Sequence, residues 1–177
     1  QHTHPEETRA SLHSASALIG LHDHVTQDIP STYHARLHIV HQSAQPLPAS
    51  YPGPSVRRFT LCVVGHLREE KDSLRAAEAA RLLPAESRIQ IIHAGRSHTP
   101  DWALAAQAQM RDNKRYSWLG EVSQTVIRRL YARSQAMVIS SLMEGGANVV
   151  SEACLAGLPV IASDIPGNTG LLGQDYP

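Results

Sequence analysis

Cysteine, lysine and phenylalanine are all scarce in this chain: among 177 residues there are two Cys, two Lys and one Phe. Cys62 and Cys154 stand in apolar stretches with no Cys-x-x-Cys companion, which argues against a disulfide framework or a zinc ribbon and suits a reducing compartment. No apolar run approaches the roughly 18 residues of a membrane helix. The opening Gln1-His2-Thr3-His4-Pro5-Glu6-Glu7 has none of the features of a secretory signal. A cytoplasmic chain is therefore expected. Charge of one sign is missing too: 16 basic side chains face 16 acidic ones, with no run of five like charges. A polybasic nucleic-acid arm and an acidic tail are both excluded. Lys71 and Lys114 apart, the basic side chains are arginines, whose fork suits carboxylate and phosphate, although a GC-rich coding sequence gives the same bias.

What is present is organised in two parts. Residues 1–43 hold a helix end and two short runs, 17–21 and 37–40, that read as strands. Residues 44–55, AQPLPASYPGPS, carry four prolines and a glycine, the composition of a linker. The division expected is a remnant domain over 1–43, a linker over 44–57 and a second domain over 58–177. The chain starts with Gln and stops soon after a glycine-rich turn, so it reads as part of a larger protein.

After the linker, apolar runs at 59–64, 89–94, 116–119, 136–139 and 159–162 alternate with helical segments at 73–83, 101–111, 123–134 and 146–156. Asp72, Asp101 and Ser123 stand where N-caps are wanted. Runs without period-two alternation suit strands buried on both faces. Alternation with helices then predicts an α/β domain with a Rossmann-like, doubly wound parallel sheet. Ligands of such sheets sit beyond the carboxyl ends of the strands, so chemistry is sought in the turns. These contain Gly65, His66, Arg68 and Lys71; Gly95; Gly120; and the run Glu144-Gly145-Gly146-Ala147-Asn148. Repeated glycines on one rim suggest a surface that lets a ligand approach the backbone.

Glu144 and Glu152 bracket a glycine-rich turn and the first turns of a helix. A helix N-terminus is a natural seat for phosphate, and a carboxylate on either side suits hydroxyls flanking a diphosphate, as in a nucleotide sugar. Arg68 and Lys71 follow a buried strand and could neutralise a leaving diphosphate without a metal. No Asp-x-Asp pair occurs, so a metal site of that kind is disfavoured. Ser140 and Ser141 read as strand-end residues, Tyr116 and Trp118 as packing residues, and His93 as a satisfied core histidine. The pairs His2/His4 and His22/His24 lack a visible third ligand for a metal.

Together, the Glu-x7-Glu segment, the Gly65 to Lys71 turn, the Trp118-Leu119-Gly120 turn and the run from Glu152 to Ser163 resemble the C-terminal domain of retaining GT-B glycosyltransferases of the family-4 type. A closer likeness, carried by His66-Leu67-Arg68-Glu69-Glu70-Lys71-Asp72, Arg115 to Glu121 and Gly145 to Glu152, is to the selenosugar synthases of selenoneine biosynthesis. The resemblance implies a UDP-sugar donor, no cofactor, and a small-molecule acceptor that would be selenophosphate. It also implies a partner N-terminal domain, whose tail would include Ser11-Leu12 and His41-Gln42-Ser43-Ala44. Lys71 and Arg68 would hold the donor diphosphate. Glu144 and the amides of Gly146, Ala147 and Asn148 would hold sugar and phosphate, and Glu152 the ribose. Many family members carry Arg where this chain has His66, so Arg68 would take that part. Retention would proceed with help from the leaving phosphate and without a protein nucleophile. From another class, a non-catalytic nucleotide-binding or interaction module stays open; its dinucleotide form would want Gly-x-Gly-x-x-Gly after the first strand, which is missing.

Overall fold

The computed structural model describes residues 5–177; His2 and His4 lie outside the described residues. The chain begins with α1 (Pro5–Ser14), β1 (Leu18–Gly20) and β2 (Leu37–Ile39). β1 and β2 pair in parallel, Leu18 beside Leu37, and two 3-10 turns, Asp23–Gln27 and Ser31–Arg36, connect them. Residues 41–58 hold neither helix nor strand. Arg128 pins this segment by donating to the Pro46 carbonyl and the Gln45 side chain.

The remainder alternates as expected: β3 (Phe59–Val64), α2 (Arg75–Arg81), β4 (Ile89–Ala94), α3 (Pro100–Asp112), β5 (Tyr116–Trp118), α4 (Gln124–Arg133), β6 (Ala136–Ile139), α5 (Asn148–Leu155), β7 (Val160–Ala162) and α6 (Pro166–Leu172). All five strands from β3 to β7 are parallel, in the order β5-β4-β3-β6-β7. Successive residues of a strand face opposite sides. Cys62 accordingly packs with Met137, Leu130 and Val150 beneath α4 and α5, while its neighbour Val63 packs with Ile91, Ala77 and Ala106 beneath α2 and α3. Both faces are covered, which is why the strands read as mainly apolar runs without period-two alternation. Alanines at 76, 77 and 80 form the buried face of α2.

The strand order has a consequence for function. From β3 the chain winds outward through β4 to β5, then returns to the other side of β3 with β6 and continues to β7. The switch point therefore lies between β3 and β6, and the turns leaving these two strands diverge there to open a crevice.

Two helix starts differ from expectation, and a third, at Ser123, falls where expected. Thr99 caps α3, its hydroxyl accepting from the Trp102 amide at 3.5 Å with Pro100 in the first turn; Asp101 lies inside that turn. There its carboxylate still complements the positive helix end. Asp72 caps nothing: it closes the 3-10 turn Glu69–Lys71 in left-handed backbone, φ 43°, and α2 starts only at Arg75. Ser123 occupies the N-cap of α4 without a side-chain bond. Helix α6 is a further element, not expected from its sequence. It packs on the Asp23–Gln27 turn, where His24 Nδ1 lies 3.1 Å from Thr169 Oγ1.

Candidate functional site

At the switch point, the turn after β3 folds around Ser73, whose hydroxyl accepts from the Arg68 amide at 3.1 Å and lies 3.1 Å from the His66 carbonyl. The loop after β6 is fastened to it. The Leu142 amide donates to Glu70 O at 2.8 Å, and Ser140 Oγ donates to Asp72 O at 3.0 Å. Two loops from distant sequence are thus held in one register. They bring Lys71 Nζ onto Glu144 Oε1 as an ion pair, with the carboxylate also accepting from Ser141 Oγ at 2.6 Å. The Glu144 side chain is 8% exposed and that of Lys71 19%. Such a pair is strengthened by its low-dielectric surroundings but costs desolvation to form.

A cleft of about 380 Å³ opens beside the pair. Its walls include Gly65, His66, Arg68, Lys71, Gly95, Glu144, Gly146, Ala147 and Asn148, so the structure brings most of the expected residues together. Arg68 is half-exposed, its nearest acid being Glu70 at 3.9 Å. The N-terminus of α5 faces the same space, Ala147 making no side-chain cap. His66 Nδ1 accepts from the Arg96 amide at 3.3 Å. Burial first, and the Arg96 guanidinium next, push its pKa below the usual histidine value and favour the neutral ring.

Gly120, Gly145 and Glu152 stand apart from this cleft. Gly120 supports it indirectly, its carbonyl accepting from the Gly95 amide at 2.8 Å. Glu121 and Val122 line the cleft instead. Glu152 lies about one turn along α5 and faces a neighbouring cavity of about 300 Å³, shared with Gln124, Arg128, Tyr131 and residues Ser43, Gln45 and Leu47 of the crossover segment. Three donors hold its carboxylate: Tyr131 Oη at 2.8 Å on Oε2, and Gln124 Nε2 at 3.0 Å with Asn148 Nδ2 at 3.2 Å on Oε1. Asn148 also lines the cleft, so it joins the two spaces. Burial, with the Glu152 charge after it, raises the Tyr131 phenol well above its ordinary pKa and keeps it a donor.

The glycines divide by physical cause. A Cβ on Gly95 would stand 1.8 Å from the Gly65 carbonyl, so this glycine is required by the neighbouring turn and not by a ligand. Gly65 and Gly145 have nothing within 4 Å of a built Cβ, which leaves their backbone approachable. His93 is the satisfied core residue anticipated: Nε2 donates to Gly65 O and Nδ1 accepts from Tyr116 Oη, both at 3.0 Å. The carbonyl can only accept, which fixes the tautomer. Trp118 Nε1 donates to Gly95 O at 2.7 Å. The sequence points to neither Gln124 nor Tyr131, and Ser141, expected only to end a strand, instead bonds Glu144. Ser141 carried a signal in its three-residue spacing from Glu144, whereas the approach of Tyr131 to Glu152 depends on how α4 packs against α5.

Among the described residues, no group of three or more His, Cys, Asp and Glu side chains is placed to hold a metal ion. No helix among them is long and apolar enough to cross a membrane.

Comparison with known proteins bears on the fold and the family. The chain is 30% identical over 110 residues to glycosyltransferase 1 domain-containing protein 1 of Xenopus tropicalis, covering 62% of this chain and 32% of that one. Over 54 residues it is 43% identical to the serotype-specific mannosyltransferase WbdA of Escherichia coli, covering 30% of this chain and 7% of that one. Among solved structures, the Anabaena protein Alr3699/HepE in complex with UDP and glucose superposes with a TM-score of 0.70 at 17% identity, over 94% of this chain and 50% of that one. The chain thus spans about half of that protein and a third or less of these curated relatives. The sheet and its helices have the architecture of a GT-B C-terminal domain. The family model for glycosyl transferases group 1 matches residues 52–176, and the chain belongs to that family.

Proposed function

We propose that this chain is the donor-binding part of a glycosyltransferase that moves a sugar from a UDP-sugar to a small acceptor, with retention and without a metal. The observation that carries the reading is the Lys71–Glu144 pair at the β3/β6 switch point, beside the uncapped N-terminus of α5. In the resting chain Glu144 neutralises Lys71. A diphosphate entering the cleft would compete for that ammonium and gather Arg68 and the amides of Gly146, Ala147 and Asn148. These positive groups would then face charge that grows on the leaving UDP, where fixed donors lower the barrier most. Released from Lys71, Glu144 would accept from a sugar hydroxyl, and Glu152, held by three donors, would accept from the ribose. Support for UDP comes from the Anabaena fold neighbour, whose structure holds UDP and glucose.

In this reading residues 1–43 are the tail of an acceptor-side domain, 44–57 the linker and 58–177 the donor domain of a cytoplasmic, family-4-type enzyme that acts together with an N-terminal domain. The proposed acceptor is selenophosphate, on the strength of the motifs from His66 to Asp72 and Arg115 to Glu121. Its selenium would bond to the anomeric carbon as the carbon–oxygen bond to UDP breaks, and UDP would leave with the electron pair. Calorimetric titration of the chain with UDP tests the site. Weak binding that Lys71→Met abolishes is expected, and no binding at millimolar UDP would overturn the reading. Binding by an enzyme with both domains, but no UDP release with selenophosphate, would reject that acceptor.

A further inference from the structure

We propose that Ser141 is a positioning residue for the donor sugar: it locks the Glu144 carboxylate so that Oε1 is committed inward and Oε2 is left to accept a sugar hydroxyl. This rests on the reading of Glu144 as a donor-sugar residue. Glu144 Oε1 receives both Lys71 Nζ and Ser141 Oγ, while Oε2 has no hydrogen-bond partner among the described residues and is not among the sealed, unpartnered atoms. Two donors on one oxygen fix the rotation of a carboxylate that one donor would leave free to turn. The Ser141 bond, at 2.6 Å onto a charged acceptor, belongs to the strong class.

Ser141 is itself held. It is 1% exposed, and its hydroxyl has no acceptor besides Glu144 among the described residues. Its carbonyl accepts from Ser163 Oγ in the turn after β7, and Asn168 Nδ2, fully buried in α6, donates to Ser163 O at 3.1 Å and Oγ at 3.0 Å. Helix α6 also supports the Glu144 backbone: a Cβ on Gly167 would stand 2.1 Å from Glu144 O. On the other side Ser140 Oγ ties the same loop to the Asp72 carbonyl, next to Lys71. Adjacent serines thus serve opposite ends of one ion pair: Ser140 holds the backbone beside the cation, and Ser141 the anion. A residue that merely ended a strand would need neither bond.

The test compares two ligands of the full chain, UDP and UDP-glucose, with UDP-N-acetylglucosamine as a second sugar nucleotide, titrated into wild type, Ser141→Ala, Ser163→Ala and Glu144→Gln. Ser141→Ala is expected to keep UDP affinity within about twofold and to lower affinity for the sugar nucleotides about tenfold, the effect of weakening one hydrogen bond to a charged group. Ser163→Ala should shift the ratio of sugar nucleotide to UDP in the same direction by a smaller factor, and it supplies the answer if Ser141→Ala does not fold. Thermal melts of each variant with and without UDP report folding separately. Equal losses for UDP and sugar nucleotides, or no change in their ratio, would overturn the positioning role. Should Glu144→Gln also leave the ratio unchanged while UDP still binds, Glu144 does not face the sugar, and the proposal falls with the donor-site reading otherwise intact. Failure of wild type to bind UDP rejects both.

Discussion

Leu21 fills the space where a side chain on Gly146 would begin. A Cβ built on Gly146 stands 2.5 Å from Leu21 Cβ, in backbone with φ +120°. The segment that follows β1 therefore rests directly on the glycine turn before α5, and this turn owes one of its glycines to packing. Gly146→Ala is expected to combine left-handed strain with a clash, destabilising the chain by about 2–4 kcal/mol. Adding Leu21→Gly should recover part of that cost, because it removes the Cβ against which the new side chain would press and leaves the strain. Urea midpoints of the single and double variants check this; full additivity would mean that Leu21 does not press on the turn.

The Lys71–Glu144 pair makes an asymmetric prediction. Lys71→Met strands a carboxylate with 8% exposure and only Ser141 beside it, whereas Glu144→Gln leaves an ammonium that is 19% exposed. Removing the cation should cost about 3 kcal/mol and removing the anion less, with the double variant falling short of the sum. A double-mutant cycle by urea unfolding measures the coupling. A coupling near zero would show that solvent already screens the pair.

Much of this arrangement could be read from the sequence, for identifiable reasons. Runs 59–64 and 89–94 coincide with β3 and β4 because mainly apolar stretches meet a glycine at the edge of a sheet buried on both faces. Lys71 and Glu144, 73 residues apart, could be assigned to one rim because parallel sheets place every strand's carboxyl end on the same side. Helix α6 could not be read. Pro166-Gly167-Asn168-Thr169-Gly170 has poor intrinsic helix propensity, and its helix is made by packing on the Asp23–Gln27 turn and by the bonds from Asn168 to Ser163. Nor could the separation of Glu152 from Glu144 into neighbouring cavities. Glu152 stands four residues past the start of α5, about 6 Å along its axis, but which cavity receives its side chain depends on Tyr131, Gln124 and the crossover segment.

Tyr131→Phe removes the one donor on Glu152 Oε2 among the described residues while keeping the ring in the core. The loss of a hydrogen bond to a charged group should cost about 1–2 kcal/mol. If Glu152 reads the ribose, the variant should also lose preference for UDP over 2′-deoxy-UDP, since a carboxylate freed on one side no longer presents a fixed acceptor. Titration with the two nucleotides checks this. An unchanged preference would assign Tyr131 to packing alone.

His93 makes the fold sensitive to acid. Burial, opposed only by its bond to Gly65 O, lowers its pKa from the ordinary 6.5 to about 4. Between these values the unfolded chain binds a proton that the folded chain refuses, so stability rises with pH across the window and falls on acidification. Below about pH 4 both states are protonated and no further loss arises from this group. The whole effect is on the order of 3 kcal/mol. His93→Gln can still donate to Gly65 O but does not titrate. It is expected to be less stable than wild type at pH 7.5 through imperfect packing, yet to lose less stability on moving to pH 4.5. Urea unfolding of both proteins at these two pH values gives the difference in slope, in which other titrating groups such as the buried His22 cancel. Parallel curves would show that His93 keeps an ordinary pKa in the folded chain, and with it that the His93 bridge between Gly65 and Tyr116 opens to water.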